Sequence, residues 1–236
     1  VEPIKIIAPA KLTLSLQIAG VREDGMHLIE AEMVTVSLFD KLTITPGESG
    51  IALSNATLDV PIGEDNTVSK ALKLANLEAR IELEKNIPSK AGLGGGSADA
   101  AAVLRWAGYS DVITAAEIGA DVAFCLLGGR ARVSGIGEIV EPLEFQNKKF
   151  TLLTPPINCS TPTVYKKWDD LGGPKGDNGN DLEPAALVAF PDLQSWKDKL
   201  GNISGKEPRL AGSGSTWFVE GKFEGPGLVN CETVRY

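Results

Sequence analysis

The sequence predicts an α+β fold in two parts, and three observations carry that reading. The opening third alternates apolar and polar residues over several runs, the signature of half-buried strands. The middle holds a glycine-rich loop, Gly92-Leu93-Gly94-Gly95-Gly96-Ser97, between a strand pattern and an alanine-rich helix pattern. The remainder interleaves helical patterns with a Gly/Pro/Asp/Asn-rich stretch at 172–180 and then returns to strands. Strands and helices mix without strict βαβ alternation, which favours α+β over a doubly wound sheet.

The elements run in this order. Ile4 to Ile7 reads as a short strand. From Lys11 to Ile18 the alternation puts Leu12, Leu14, Leu16 and Ile18 on one face and Lys11, Thr13, Ser15 and Gln17 on the other. Arg22-Glu23-Asp24-Gly25 is a turn. Val34, Val36 and Leu38 alternate again, and Leu42 to Thr45 continues the run. Asp65 reads as the cap of a helix through Val68, Ala71, Leu72 and Ala75. Ile81 to Glu84 is a strand, and Ala98 to Ala107 a helix. Ser110 reads as the cap of a helix ending near Gly119. Gly128-Gly129 and Gly135-Ile136-Gly137 punctuate further strands. The strand Phe150–Leu153 ends at Thr154-Pro155-Pro156, which sets the expected domains at 1–153 and 154–236. Helices then read at Pro162–Leu171, 181–189 and 191–200, with strands after Leu210 and from Leu228.

Composition bounds the function. The chain has 236 residues, enough to bury a sizeable core, and its 43% hydrophobic and 23% charged residues are globular values. No run reaches membrane-span length, and the polarity of residues 1–18 does not fit a signal peptide. A net charge of −8 argues against nucleic acid and anionic membranes as partners. Cys125, Cys159 and Cys231 are widely spaced and odd in number, which points to buried thiols in a reducing cytoplasm rather than a zinc site. His27 is the single histidine, so His-rich metal sites are excluded.

The glycine loop carries the chemistry. A strand, a flexible loop and a helix start bring free backbone N–H groups to one spot, which is an anion site suited to phosphate. It is not a P-loop, because no lysine precedes Ser97, nor a dinucleotide fingerprint, because Ser97 stands where the third glycine would be.

Three motifs in order resemble the GHMP small-molecule kinase family: Pro9-Ala10-Lys11-Leu12-Thr13-Leu14, the loop Gly92 to Ser97, and Ala211-Gly212-Ser213-Gly214-Ser215. Four further blocks narrow the resemblance: Arg22 to His27, Gly119-Ala120-Asp121-Val122, Thr161-Pro162-Thr163-Val164-Tyr165, and Asn180-Asp181-Leu182-Glu183. They resemble the branch that phosphorylates the 2-hydroxyl of a cytidine diphosphate-linked methylerythritol in non-mevalonate isoprenoid precursor synthesis. The resemblance implies a two-domain GHMP kinase fold, with ATP and substrate in the interdomain cleft, Mg²⁺ as cofactor, and a cytoplasmic monomer or homodimer.

The same resemblance assigns roles. Asp121 would be the general base and Lys11 its catalytic partner, although on residues alone Asp121 reads as a cap and Lys11 as a solvated lysine. Asn66, Pro88, Ala91, Gly92, Leu93, Gly94, Gly95, Gly96 and Ser97 would bind ATP, with Ser97 also meeting the metal. Thr13, Met26, His27, Thr161, Tyr165, Gly212, Ser213 and Gly214 would bind the acceptor, His27 reading the cytosine edge and Tyr165 stacking on it. Three residues depart from the family pattern. Thr13 stands where Asn is usual, Met26 where an aromatic is usual, and Lys90 where a small or apolar residue is common. The rival readings are another GHMP kinase, for mevalonate derivatives, homoserine or a sugar, and a silent nucleotide sensor on the same fold.

Overall fold

A computed structural model describes residues 2–54 and 63–235. Its first sheet is built on two long strands, β1 (Ile4–Val21) and β2 (His27–Pro46), joined by the Arg22–Gly25 turn. In that turn the Gly25 N–H donates to the Arg22 carbonyl and the Met26 N–H to Asp24. The short runs expected at Ile4–Ile7 and Lys11–Ile18 are thus one strand, and so are those between 34 and 45.

β1 pairs antiparallel along one edge of β2. The other edge is shared by β4 (Ala79–Glu84), on Lys41–Pro46, and by β5 (Arg130–Gly135), on Ile29–Val34. β3 (Gly50–Leu53) runs parallel to β4, and β6 (Ile139–Pro142) pairs with β5. The second sheet is antiparallel, in the order β10 (Leu228–Glu232), β7 (Lys149–Leu153), β9 (Trp217–Glu220), β8 (Arg209–Leu210). β7 lies in this sheet, so the change of sheet falls between Pro142 and Lys149, ahead of the 153/154 limit expected from the prolines.

The mid-stretch of β2, left open between β5 and β4, receives the C-terminal end of the chain. Val36 bridges Thr233, and the Val234 N–H donates to the Thr35 carbonyl at 3.0 Å. One cluster of buried apolar side chains runs through both halves, from Leu12, Leu42 and Ile81 to Phe150, Trp217 and Phe218.

The helices are α1 (Thr67–Leu74), α2 (Gly95–Trp106), α3 (Val112–Ala115), α4 (Val122–Leu127), α5 (Thr161–Asp170), α6 (Glu183–Ala189) and α7 (Leu193–Ser204). Three starts differ from the sequence expectation. The α1 cap is Asn66, not Asp65; its side chain accepts the Val68 N–H at 2.8 Å. The α3 cap is Asp111, not Ser110, and α3 stops at Ala115, with a separate α4 after Gly119. α2 begins at Gly95, three residues before the alanine run. Glycine's low helix propensity hides that first turn from a reading by propensity. Residues 98 to 104 of α2 are all buried, and the alanines at 98 and 100 to 102 let the helix sit close to β1.

Candidate active site

The centre of the site is the pair Lys11 and Asp121. Lys11 Nζ lies 3.1 Å from Asp121 Oδ2 and donates to Thr13 Oγ1 at 3.1 Å. Asp121 occupies the N-cap position of α4 without making a side-chain capping bond, which leaves its carboxylate turned to Lys11. The strand fixes the other partner: the Lys11 N–H donates to the Leu93 carbonyl, so β1 is bound directly to the glycine loop. The Lys11 side chain is 6% exposed, and its stem runs past Gly94, where an added Cβ would meet Lys11 Cγ at 2.8 Å.

The glycine loop packs on the 211–214 turn. Gly92, at φ +77°, has no room for a side chain: a Cβ there would lie 2.1 Å from the Ala211 carbonyl oxygen and 3.0 Å from that of Gly214. α2 opens with Gly94 in the left-handed region, and the first intrahelical bond is Ala98 N–H to Gly94 carbonyl. The N–H groups of Gly95, Gly96 and Ser97 therefore have no intrahelical acceptor. Thr67 Oγ1 ties this turn to α1 by donating to the Gly96 carbonyl at 2.7 Å.

Behind the loop lies a buried charge cluster. Lys85 bridges Asp40 and Asp99, while Asp40 also accepts the N–H groups of Asn86 and Ile87. Lys85 and Asp99 flank the loop, so the cluster clamps its two ends together. Burial pushes the Asp99 carboxyl well up, against the pull of Lys85 and with the help of the neighbouring Asp40 charge.

Two cavities meet at the centre. One, of about 370 Å³, is lined by Asn66, Pro88, Ala91, Gly92, Gly94, Gly95, Gly96 and Ser97, with Asp99, Asp121 and Thr161. The other, of about 550 Å³, is lined by Lys11, Thr13, Met26, His27, Thr161, Tyr165, Gly212 and Ser213, again with Gly92 and Asp121. The loop residues expected to bind ATP thus line one cavity and most of those expected at the acceptor line the other. Leu93 and Gly214 line neither. The Leu93 side chain is in the core and only its backbone serves the site, while Gly214 packs on Leu210 and Cys159.

In the larger cavity the His27 ring sits 4.7 Å from Tyr165 and 5.5 Å, edge-on, from Trp168. Its Nε2 is 2.8 Å from Asp169 Oδ1. Burial, then the Asp121 charge, pushes the Tyr165 hydroxyl up, so it stays a neutral phenol. Thr161 Oγ1 and Ser213 Oγ are 2.8 Å apart and close the floor.

A family model described as the GHMP kinases N terminal domain matches residues 66–129. A 4-diphosphocytidyl-2-C-methyl-D-erythritol kinase of Paracoccus denitrificans is 37% identical over 231 aligned residues, covering 89% of this chain and 84% of its own. One from Clostridium kluyveri is 42% identical over 250, covering 91% and 89%. The chain belongs to the 4-diphosphocytidyl-2-C-methyl-D-erythritol kinase family. A crystal structure of a 4-(cytidine 5'-diphospho)-2C-methyl-D-erythritol kinase superposes with a TM-score of 0.76 at 28% identity, covering 97% of this chain and 98% of that one. Methanococcus jannaschii mevalonate kinase, at 12% identity and a TM-score of 0.63 over 99% of both chains, shares the fold.

For this member of the kinase family, the structure adds residues that the sequence reading missed. Asp169 lies one helical turn beyond Tyr165, which is itself one turn beyond Thr161. The i, i+4, i+8 spacing puts all three on one face of α5 and was available as a signal. Leu16 also joins Lys11 and Thr13 in the larger cavity, although strict alternation sets it on the opposite face. A β-bulge between Thr13 and Ser15 inserts one residue and reverses the facing of the strand beyond it. The Asn180-Asp181 block is structural. Asn180 donates to the Leu210 and Gly212 carbonyls, Asp181 accepts from the Ile18 N–H, and the Gly179 carbonyl and Asp181 N–H pair with Leu16. This block ties the second part of the chain to β1.

Proposed function

We propose that the protein transfers the γ-phosphoryl group of ATP to the 2-hydroxyl of 4-diphosphocytidyl-2-C-methyl-D-erythritol. The observation that carries this reading is the meeting of the two cavities at Asp121, beside Lys11. ATP lies with its phosphates on the N–H groups of Gly95, Gly96 and Ser97. The acceptor lies in the larger cavity, its cytosine against His27 and Tyr165 and its erythritol end at Asp121. The 2-hydroxyl oxygen attacks the γ-phosphorus as the bond to the β–γ bridging oxygen breaks. Asp121 takes the hydroxyl proton, and ADP leaves. Lys11 holds the Asp121 carboxylate in place and offsets charge on the transferring group.

The described residues contain no group of three His, Cys, Asp or Glu that could hold a metal alone. Ser97 nevertheless offers a hydroxyl on the phosphate cavity, a hard oxygen donor of the kind Mg²⁺ takes alongside phosphates and water. Ser97 would hold the ion beside the phosphates, where it would neutralise charge on their oxygens.

The test is ADP release by the purified protein with MgATP, with and without the cytidyl substrate. Release that depends on the substrate is the expected result. ATP binding with no such release moves the assignment to another acceptor or to a nucleotide sensor.

A further inference from the structure

Among the described residues, two that are not glycine have left-handed backbones: Asn76 and Lys90, both at φ +52°. Asn76 has a local reason. It follows α1, where its N–H returns to the Lys73 carbonyl and that of Leu77 to Leu72, a helix ending that Asn adopts readily. Lys90 ends no helix. It sits in the phosphate loop, where residues 90, 92 and 94 all have positive φ, and the other two are glycine. A glycine at 90 would hold the same backbone without the steric strain that a side chain brings there. The loop's shape therefore does not call for lysine; the side chain does. Strain of this kind persists where function requires it.

The surroundings say what the side chain meets. Lys90 lines the 370 Å³ cavity of the glycine loop and an adjoining cavity of about 390 Å³ bounded by Thr154, Pro155 and Asn158. It does not line the larger acceptor cavity. Around the phosphate cavity the other two lysines are committed, Lys85 to Asp40 and Asp99 and Lys11 to Asp121. Among the described residues no carboxylate lies within ion-pair distance of Lys90. The same cavity is lined by Asp65, Asp99 and Asp121, an acidic wall for a polyanion to approach.

We infer that Lys90 is a nucleotide-binding residue, its ammonium pairing with a phosphate of the bound nucleotide at the open side of the loop. The inference rests on the kinase reading above. Charge-assisted pairing of this kind at a partly open site is worth roughly a tenfold change in affinity.

The experiment is calorimetric titration of MgATP and of adenosine into the wild type and the variants Lys90→Gly, Lys90→Ala and Lys90→Arg, with melting temperatures for each. Both neutral variants should bind MgATP about tenfold more weakly and adenosine within twofold of wild type. Lys90→Arg should keep MgATP affinity within about threefold. Lys90→Gly should melt no lower than wild type, because it sheds the strain. MgATP affinity within twofold of wild type in both neutral variants overturns the inference. So does weakened binding accompanied by a lower melting temperature in Lys90→Gly and no rescue by arginine, which is the mark of a purely structural role. A wild type that binds no MgATP overturns the kinase reading and this inference together.

Discussion

Asp121 stands at the N-cap position of α4 yet leaves the helix uncapped, and its carboxylate lies 3.1 Å from the ammonium of Lys11. A capping aspartate would normally spend its oxygens on the first-turn N–H groups. Here they face two cavities. The Asp121→Asn variant keeps the shape and removes the proton acceptor, so kcat should fall roughly a hundredfold or more. Steady-state rates at saturating ATP and acceptor check this, and a loss under threefold would remove Asp121 from the role of base.

Gly92 interlocks the glycine loop with the 211–214 turn. The Gly92→Ala methyl would lie 2.1 Å from a backbone oxygen, at a φ of +77°. The variant should lose about 2 kcal/mol or more of stability, a fall of at least ~4 °C in Tm for a chain of this size. Gly20→Ala is the control, because its Cβ would meet only Leu28 Cδ1, at 3.9 Å. It should change Tm by less than ~2 °C. Thermal unfolding of the two variants side by side decides the matter.

Asp181 holds the second part of the chain against β1. Burial raises its pKa, but Lys175 and the N–H groups of Ile18 and Gly176 outweigh that and set it below the ordinary carboxylate value. A lowered folded pKa gives stability that is present above the unfolded value, about 3.9, and is lost as pH falls through the folded one. Lys175 is 67% exposed, so the two backbone bonds matter more than the ion pair. Asp181→Asn should therefore cost about 2 kcal/mol at pH 7, with the gap to wild type narrowing below about pH 4. Tm measured from pH 3 to 7 tests both halves; a gap that stays constant with pH would contradict the linkage.

Met26 lines the larger cavity beside His27 and Tyr165 and is 46% exposed. A thioether stacks on a base less firmly than an aromatic ring. Met26→Tyr should gain about 1 kcal/mol of stacking, which is a roughly fivefold lower KM for the cytidyl substrate. The KM for ATP should not change. A fall in both constants, or in neither, would take Met26 out of base stacking.

Much of this arrangement was legible in the residues. Alternation put Lys11 and Thr13 on one face of β1, and the composition of the glycine loop marked the passage from a strand to a helix start. The rest depends on events that leave little trace in local pattern. The bulge after Thr13 is one inserted residue in a run that still alternates, so Leu16 reads onto the wrong face. The α2 start is hidden because its first turn is Gly95 and Gly96, residues of low helix propensity. Asp40, Lys85 and Asp99 are scattered in sequence, and only the folded sheet and helix bring them together. Asp169 could have been found from its spacing with Thr161 and Tyr165.

Among the described residues the two cavities share only Gly92, Asp121 and Thr161 in their walls. The enzyme is therefore a vessel with two doors and a narrow common threshold. On the proposed placement of the two substrates, a compound that fills only the 550 Å³ side should shut out the acceptor while nucleotide still enters and leaves, giving noncompetitive inhibition against ATP. One that reaches across the threshold at Asp121 blocks both doors.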